Sequence, residues 1–391
     1  MVAATGATYL AAEAAFCRFG LRYVPLRLHA YLPDDVRVFA QSSKTAVLPL
    51  APVLLLGDSY AQGYGDWLLE ANPYRNGPFH SAHIIQAFSG QDVVTLGASG
   101  AGSAEAIAAI PAIAYEEANR AWYLRLPKPR VAVVYFYEGN DLNNNMRFLE
   151  RRVDQSDAAG LAERIDRSLA AYPSVLAAPA SRPAEAFPLL RFSARMARRI
   201  YGERTATLAA PEDESGGAPS AGGDPPDVVE VAGRPVSLPS NLQSPSMELT
   251  MPEIERAVLV YGRSLGFLRR LLPETAVLVV YLPSPLASYR LLGTEVSIQP
   301  YVTGRATRYP RVQVAQSSNA ICELIRTATI ADGAGFLDLR PAVRVAGAHD
   351  MLHGPRDFKH FNRKGMEVLG QAVAARIGRP LEPEPCAPNG D

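Results

Sequence analysis

Five short apolar runs rich in β-branched residues punctuate the sequence, and each is followed by a turn or a polar cluster. Continuous apolar runs of this length are typical of strands that are buried on both faces of a parallel sheet. The runs are Val53–Leu56, Val93–Leu96, Val131–Tyr137, Ala276–Leu282 and Phe336–Leu339. We therefore predict a parallel sheet of five strands.

Apolar residues recur at three- and four-residue spacing between most of these runs, which predicts helices. The helical segments are Ser103–Tyr115, Pro252–Leu272, Val312–Ala331 and Arg363–Ile377. Alternating strands and helices predict a doubly wound α/β sheet, in which ligands bind at the carboxyl ends of the strands. The 391 residues exceed the roughly 100 to 200 of a typical domain, so the chain is one large domain with insertions or two domains.

The regular alternation is interrupted between residues 146 and 250, which we interpret as an insertion. Within it, Pro211–Pro226 is too polar and too rich in Pro, Gly and Ser to offset its ordering entropy, and it predicts a flexible loop. The preceding segment Arg191–Ile200 places its apolar side chains on one helical stripe and arginines elsewhere. Such a helix is either a surface helix packed on the core or a basic rim for an anionic polymer or a membrane surface.

The overall composition is that of a globular protein, with 48% hydrophobic and 20% charged residues. These fractions exclude a largely disordered, fibrous or multi-span membrane chain. Basic and acidic residues balance at 39 each, so the formal net charge is zero. Without a basic excess, we expect no nucleic-acid partner.

The three cysteines, Cys17, Cys322 and Cys386, lie far apart and lack the spacing of metal ligands. An odd number cannot all pair within the chain, so the cysteines leave the redox compartment open. The sequence contains no apolar run long enough to predict a transmembrane helix. Residues 1–19 are apolar but lack a basic start and include Glu13, which does not fit a standard signal peptide and leaves the remnant of an anchor as an alternative.

A serine stands directly after the first predicted strand, in Gly57-Asp58-Ser59. A serine hydroxyl is a poor nucleophile at neutral pH and needs a base within hydrogen-bond reach. Taken alone, this tripeptide is equally compatible with an ordinary turn or a helix N-cap.

Two further turns follow the second and third predicted strands. The segment Gly97–Gly102 is rich in glycine, so its backbone N–H groups can approach a ligand closely and donate to an oxyanion. The tripeptide Gly139-Asn140-Asp141 offers the side-chain amide of Asn140 as another donor. In isolation, each segment is also compatible with a tight structural turn.

Asp357 precedes His360 by three residues, in a predicted loop before the last helix. A carboxylate in that place can hold the imidazole in the tautomer that leaves Nε2 free to accept a proton. The pair therefore supplies the base that Ser59 lacks, together with a residue that orients it.

In residue type and in order along the chain, Gly57-Asp58-Ser59, Gly100, Gly139-Asn140-Asp141 and Asp357-x-x-His360 resemble the four conserved blocks of the SGNH, or GDSL-type, hydrolases. This family includes esterases, lipases and acyl-carbohydrate deacylases. The resemblance implies a flavodoxin-like three-layer α/β/α sandwich with a parallel five-stranded sheet. The resemblance implies no metal and no organic cofactor.

Carried over residue by residue, the resemblance implies that Ser59 is the nucleophile, His360 the general base and Asp357 its partner. The oxyanion hole would consist of the backbone N–H groups of Ser59 and Gly100 and the side-chain amide of Asn140.

The resemblance covers roughly Val53–Asp141 and Ala276–Ile377, and we place the two core segments at residues 51–145 and 251–380. Residues 1–50 then form an N-terminal extension and residues 381–391 a C-terminal tail. Because the insertion at 146–250 follows Asn140, we expect it to lie over or beside the site as a cap.

Two residues depart from the common family pattern. Tyr60 stands where many members have Leu, and Thr95 stands near the second block where Asn is common. We expect Tyr60, Asp141 and Ser284 to contact the substrate, although Ser284 is also compatible with a structural turn. Asp58 is expected to hold the serine turn through backbone N–H groups.

Other catalytic and binding patterns fit less well. The Gly-x-Ser-x-Gly signature fails at Ala101, and neither a phosphate-binding loop nor a dinucleotide fingerprint occurs. His349 and His353 have the spacing of a zinc-binding helix, but Gly and Pro flank them and Asp replaces the usual Glu. We interpret them as loop histidines that line the cleft.

These observations predict a serine esterase, and the resemblance to the family implies short-chain O-acyl esters of carbohydrates as its substrates. A polysaccharide O-acetyltransferase would use the same triad, and a non-catalytic carbohydrate-binding scaffold is a third hypothesis. The expected partner is a small-molecule or carbohydrate ester. Because relatives that act in polysaccharide O-acetylation are often membrane-anchored, association with a membrane or the cell envelope, including the periplasm, is favoured over the cytoplasm.

Overall fold

A computed structural model describes most of the chain. The described residues are 2–41, 43–66, 79–120, 126–155, 159–176, 187–202, 227–240, 242–298 and 307–388. The predicted loop at 211–226 lies outside these ranges.

Ten strands form three sheets among the described residues. They are β1 Val53–Leu56, β2 Val93–Thr95, β3 Val131–Tyr137, β4 Asp227–Val231, β5 Arg234–Leu238, β6 Ala276–Leu282, β7 Arg290–Leu291, β8 Glu295–Ile298, β9 Thr307–Pro310 and β10 Gly335–Asp338. The central sheet has five parallel strands in the order β10-β6-β3-β1-β2, with Val53 of β1 opposite both Val93 and Val131. This is the 2-1-3-4-5 order of flavodoxin-like sheets. The prediction of a five-stranded parallel sheet is confirmed, with strand ends within one residue.

Helices cover both faces of this sheet. They are α1 Val2–Arg18, α2 Asp34–Arg37, α3 Ser59–Gln62, α4 Ser81–Ser89, α5 Ile110–Arg120, α6 Asp141–Arg152, α7 Leu161–Leu176, α8 Pro188–Gly202, α9 Met251–Leu271, α10 Arg311–Ala331, α11 Arg340–Gly347 and α12 Arg363–Ile377. The predicted helix at 103–115 is instead a π-helical turn, Ala104–Ala109, followed by α5. Pro111 lies just after this π-helical turn, as the second residue of α5.

Alternate residues of each central strand face opposite layers, which places a core on each side of the sheet. Val53 and Leu55 pack with α4 and α12 on one face. Leu54 and Leu56 belong to the other core, to which α6, α7, α9 and α10 contribute. The continuous apolar character of these strands follows from this burial on both faces.

The predicted insertion is not one compact unit in its described parts. Helix α7 packs beside α9, whereas α8 packs on α1. Strands β4 and β5 form a hairpin that pairs with β7. The role of this segment as a cap over the site stays a prediction.

The basic helix α8 uses its apolar stripe to contact the N-terminal extension. Phe192 stacks on Phe16 at 5.8 Å between ring centroids, and Arg195 donates to the carbonyl of Leu32 at 2.8 Å. Glu13 accepts from the first amides of the helix. This arrangement matches a surface helix packed on the fold. Among the described helices, none has the length and apolar character needed to cross a bilayer.

The terminal segments cover both edges of the central sheet. On the β2 side, the amide of Gln41 bonds both the N–H and the C=O of Thr95, each at 2.9 Å. Ser43 does the same for Val93 through its carbonyl and its hydroxyl. On the β10 side, the N–H of Glu384 donates to the carbonyl of Phe336 at 2.9 Å. Gln41, Ser43 and Glu384 therefore cover backbone groups of the two outer strands.

Candidate active site

The serine turn begins where β1 ends. Gly57 has φ +145°, and a Cβ there would lie 3.0 Å from the Cβ of Tyr135, so only glycine fits without strain. Asp58 then caps α3 by accepting from the N–H of Tyr60 at 2.9 Å. This bond is the role expected for Asp58. It places Ser59 at the first position of α3, at the carboxyl edge of the sheet.

The three predicted triad residues meet at this edge, although 301 positions separate the serine from the histidine. The Oγ of Ser59 lies 2.8 Å from Nε2 of His360. On the other side of the ring, Nδ1 lies 2.6 Å from Oδ2 of Asp357. Because Nδ1 faces a carboxylate, it carries the proton, and Nε2 is left to accept from the serine.

The loop that carries His360 is fixed at several points. Oδ1 of Asp357 accepts from the backbone N–H groups of Lys359 and His360 at 2.8 and 3.2 Å. Burial acts to raise the pKa of Asp357, but the adjacent His360 and these hydrogen bonds together lower it below its ordinary value. The carboxylate therefore remains charged and able to orient the imidazole at neutral pH.

Asp66, which the sequence did not single out, anchors the same loop. Its Oδ1 accepts from the backbone N–H groups of Arg356 and Asp357, both at 2.7 Å. No local pattern around Asp66 signals this contact, because its partners lie about 290 residues away in sequence.

Asn140 lies beside the serine turn, as predicted. Its Nδ2 donates to Oδ2 of Asp58 at 3.3 Å, and the same oxygen is 3.3 Å from Oγ of Ser59. Burial raises the pKa of Asp58, although the hydrogen bond from Tyr60 and the nearby His360 oppose the shift. The side-chain amide of Asn140 is thus near the nucleophile and able to supply a second proton to an oxyanion.

The glycine-rich turn after β2 packs closely on α3. A Cβ on Gly97 would lie 2.2 Å from the backbone nitrogen of Gln62, so no other residue fits at this position. Oγ1 of Thr95 donates to the carbonyl of Ala61 at 2.7 Å and ties the two turns together. Gly100 has φ +72° and open space around it. Its part in the oxyanion hole stays a prediction.

The three predicted substrate contacts are placed differently by the structure. Tyr60 is fully buried, and its hydroxyl donates to the carbonyl of Lys359 at 3.0 Å, while its ring packs on His360 at 5.3 Å. Its side chain therefore supports the histidine loop from the core rather than lining an acyl pocket, because the bulky ring fills the space beneath the turn.

Asp141 and Ser284 are also buried rather than exposed in a cleft. Oδ2 of Asp141 accepts from the N–H of Tyr137 at 2.8 Å. Burial, together with the charge of Asp58, raises the pKa of Asp141 well above its ordinary value. Ser284 donates its N–H and its hydroxyl to Glu138 at 2.7 and 2.8 Å, which fits the structural-turn interpretation.

Glu138 is the centre of a buried polar network that the sequence analysis missed. Its other oxygen accepts from the hydroxyls of Tyr281 and Ser318, at 2.6 and 2.8 Å. Ser318 in turn accepts from Arg340, which is fully buried and bonds both oxygens of Asp338. The network joins the carboxyl ends of β3, β6 and β10. The sequence offered one signal of this network. Glu138 is a charged residue that lies between the apolar strand Val131–Tyr137 and Gly139.

A disulfide joins Cys322 of α10 to Cys386 of the C-terminal tail. Cys17 is buried in the N-terminal part of the fold and is not part of this bond. The three cysteines therefore give one intrachain pair, which the sequence alone could not assign.

His349 and His353 do not lie on a helix, and they differ in exposure. His349 is exposed, whereas His353 is 1% exposed and its Nδ1 lies 2.8 Å from the hydroxyl of Tyr289. Burial lowers the pKa of His353 to about 3, so the ring is neutral. The interpretation of both as cleft-lining loop residues is therefore wrong for His353, whose ring packs on Phe361, the residue after His360.

A cavity of about 430 Å³ lies elsewhere in the fold, lined by β7 and parts of α10 and α11. None of its lining residues belongs to the triad or to the predicted oxyanion hole. It is therefore separate from the candidate site.

Comparison with known proteins gives no family assignment. No family model matches the sequence, and no curated protein matches it. Solved structures give distant likenesses. A phospholipase A1 from Streptomyces albidoflavus has 14% identity and a TM-score of 0.38, with 85% of this chain and 100% of that chain covered. An extracellular lipase from Streptomyces rimosus has 13% identity and a TM-score of 0.37, with 84% and 99% covered.

An acetyl xylan esterase from the rumen bacterium Butyrivibrio proteoclasticus has 11% identity and a TM-score of 0.35. It aligns over 85% of this chain and 65% of its own. At such identities and TM-scores, likeness alone assigns neither a fold nor an activity. The site must be interpreted from its own geometry.

Proposed function

We propose that the protein is a serine esterase of the SGNH type that hydrolyses short O-acyl esters of carbohydrates. The observation that carries this proposal is the continuous hydrogen-bonded chain from Ser59 through His360 to Asp357, at 2.8 and 2.6 Å. These distances are within the range expected of a nucleophile and its base. The order of the four sequence blocks and the strand order of the central sheet support the same family.

In the proposed reaction, Nε2 of His360 takes the proton of Ser59 as Oγ attacks the ester carbonyl. The carbonyl oxygen becomes an oxyanion that faces the backbone N–H groups of Ser59 and Gly100 and the amide of Asn140. The imidazolium then protonates the leaving alcohol, and water activated by His360 releases the acid from the acyl-enzyme. Asp357 remains charged and stabilises the imidazolium at both stages.

Two experiments test this proposal. The protein and its Ser59→Ala variant are incubated with a fluorophosphonate and analysed by intact mass, which should show one adduct on the native protein alone. Turnover of 4-nitrophenyl acetate is then measured with and without a sugar acceptor. Turnover that needs only water identifies an esterase, and acceptor-dependent acetyl transfer identifies the O-acetyltransferase. Absence of the adduct would instead favour a non-catalytic carbohydrate-binding scaffold.

We further propose that the protein acts in an oxidising compartment such as the periplasm or the cell envelope. The Cys322–Cys386 disulfide supports this placement, since such bonds persist mainly outside the reducing cytosol. Thiol labelling of the native protein purified from its own cells is the test. A single reactive thiol after unfolding supports the proposal, and three thiols contradict it.

A further inference from the structure

A small cavity of about 140 Å³ adjoins Gly100, the glycine of the proposed oxyanion hole. Besides Gly100, its wall is formed by Gly102, the π-helical turn and one face of α6. Pockets that hold a whole small molecule usually measure roughly 300 to 1,000 Å³. This cavity is therefore of a size to take one group of a larger substrate.

One face of α6 connects the cavity to the catalytic serine. Asn140 precedes the helix and contacts Asp58 beside the nucleophile. Steps of four, three and four residues from Asn140 lead to Asn144, Arg147 and Arg151, so these residues lie on the same face of α6. All three line the cavity. At 1.5 Å per residue, they lie roughly 6, 10 and 16 Å along the helix from Asn140. A substrate whose ester lies at Ser59 can thus extend along this face.

Asn144 contributes a buried polar group to the wall of the cavity. Its side chain is only 7% exposed, and within the described structure its Nδ2 has no hydrogen-bond partner. A buried donor without a partner costs free energy, so such groups are normally satisfied by a ligand or by water. The amide therefore offers a hydrogen bond to an acceptor that enters the cavity.

The charges around the cavity favour an anionic group. Arg147, Arg151 and Arg152 line it, against one carboxylate, that of Glu105. Arg152 also lies 5.5 Å from the ring centroid of Tyr172, which fixes one end of the wall. The adjoining π-helical turn is a rare element that occurs often at functional sites.

We propose that this cavity binds a carboxylate or phosphate group on the carbohydrate whose acyl ester is cleaved at Ser59. The inference rests on the proposed function and narrows its substrate to acidic sugars. Arg147 and Arg151 pair with the anion, and Nδ2 of Asn144 donates to it. The anionic group thereby fixes the register of the sugar against the oxyanion hole.

The test compares esters that differ only in the acidic group. Acetylated glucuronic acid and acetylated glucose 6-phosphate are measured against acetylated glucose, which separates the carboxylate from the phosphate. The enzymes are the native protein, the double variant Arg147→Gln with Arg151→Gln, and Arg379→Gln as a control at an exposed arginine outside the cavity. The readout is the ratio of kcat/KM for the acidic ester to that for the neutral ester.

We expect the native protein and the Arg379→Gln control to prefer at least one acidic ester. The double variant should lose this preference by about 10- to 100-fold, since hydrogen bonds to charged groups contribute roughly 1.5 to 3 kcal/mol. Equal rates on acidic and neutral esters, or an unchanged ratio in the double variant, would overturn the inference and leave the esterase proposal intact.

A binding measurement separates failure of the inference from failure of the esterase proposal. Calorimetric titration of Ser59→Ala with glucuronate and with glucose 6-phosphate is compared with titration by glucose. Binding of an acidic sugar that the double substitution abolishes supports the site even if no ester is hydrolysed. Failure of both acidic sugars to bind better than glucose overturns it.

Discussion

The backbone N–H of Asp357 donates to Oδ1 of Asp66 at 2.7 Å, so a residue just after the serine turn holds the carboxylate that orients the histidine. The proposed nucleophile, Ser59, and its proposed base, His360, are 301 positions apart, and this contact fixes the two parts of the chain against each other. Small displacements of a catalytic group are costly, because reacting atoms must be held within a few tenths of an ångström.

Asp66→Ala should lower kcat by about 10- to 100-fold, because the loop from Arg356 to His360 loses its anchor. Asp66→Asn keeps a side-chain oxygen that can accept both N–H groups, so it should retain most of the activity. Steady-state kinetics on 4-nitrophenyl acetate should place the loss in kcat rather than in KM. Equal damage from both variants would contradict a positioning role.

Ser59→Ala should reduce ester turnover by several powers of ten while the protein stays folded, as removal of a triad nucleophile does elsewhere. Asp357→Asn should cost roughly 10⁴-fold, because the amide favours the wrong imidazole tautomer. Ser193→Ala, at an exposed serine of α8, is the matched control. Undiminished turnover in Ser59→Ala would remove the serine from the mechanism.

Asn140→Ala should lower kcat by about 10²- to 10³-fold, the loss expected for one oxyanion donor. The substitution also removes the hydrogen bond to Asp58. Fluorophosphonate labelling and melting temperature are measured alongside, since a general disturbance of the turn would slow labelling and lower the melting temperature together. A kcat within twofold of the native value would exclude the amide from the oxyanion hole.

Cys386→Ser should lower the free energy of unfolding by about 4 kcal/mol, from the loop entropy of a 64-residue separation. The variant should melt at the same temperature with and without reductant, whereas the native protein and Cys17→Ala should be destabilised by reductant. Scanning calorimetry provides the measurement. If reductant leaves the melting temperature of the native protein unchanged, the disulfide does not contribute to its stability.

Asp141→Asn should stabilise the protein more at pH 8 than at pH 4. Burial and the charge of Asp58 raise the pKa of Asp141 above its ordinary 3.8, so the folded state binds this proton more tightly than the unfolded state. Stability is therefore lost as the pH rises from about 3.8 through the raised pKa. The amide mimics the protonated acid and removes that loss.

Melting temperatures of the native protein and Asp141→Asn between pH 4 and pH 8 give the measurement. Glu382→Gln, at an exposed carboxylate of the tail, is the control. Its melting temperature should differ from that of the native protein by the same amount at pH 4 and at pH 8. The prediction would be contradicted if the gain in melting temperature from Asp141→Asn stayed constant or shrank as the pH rises.

Features that depend on local sequence could be predicted. The five strands follow from apolar runs, because burial on both faces leaves no polar position along Val131–Tyr137. Helix α12 has the ends predicted from its apolar spacing, Arg363 and Ile377, and Asn362 caps its first turn. The proximity of Ser59 to His360 could be anticipated because Ser59 directly follows the first strand and His360 directly precedes the last helix.

Features that depend on distant contacts could not be predicted. Tyr60 looks like a pocket residue beside the nucleophile, but the fold buries its ring under a loop about 300 residues away. Glu138 and Arg340 are joined through Ser318, and nothing near either residue in the sequence signals the other. Polar groups inside a core are placed by their partners, so their roles appear only when the chain is folded.

The hydrogen bonds of Gln41, Ser43 and Glu384 to the outer strands bear on whether two copies of the protein can pair through the edges of their sheets. An edge strand with unpaired N–H and C=O groups can pair with a strand of another molecule, which leads to aggregation. Here a side-chain amide and two short terminal segments occupy the peptide groups of Val93, Thr95 and Phe336. These groups are therefore not available for pairing with a strand of another molecule.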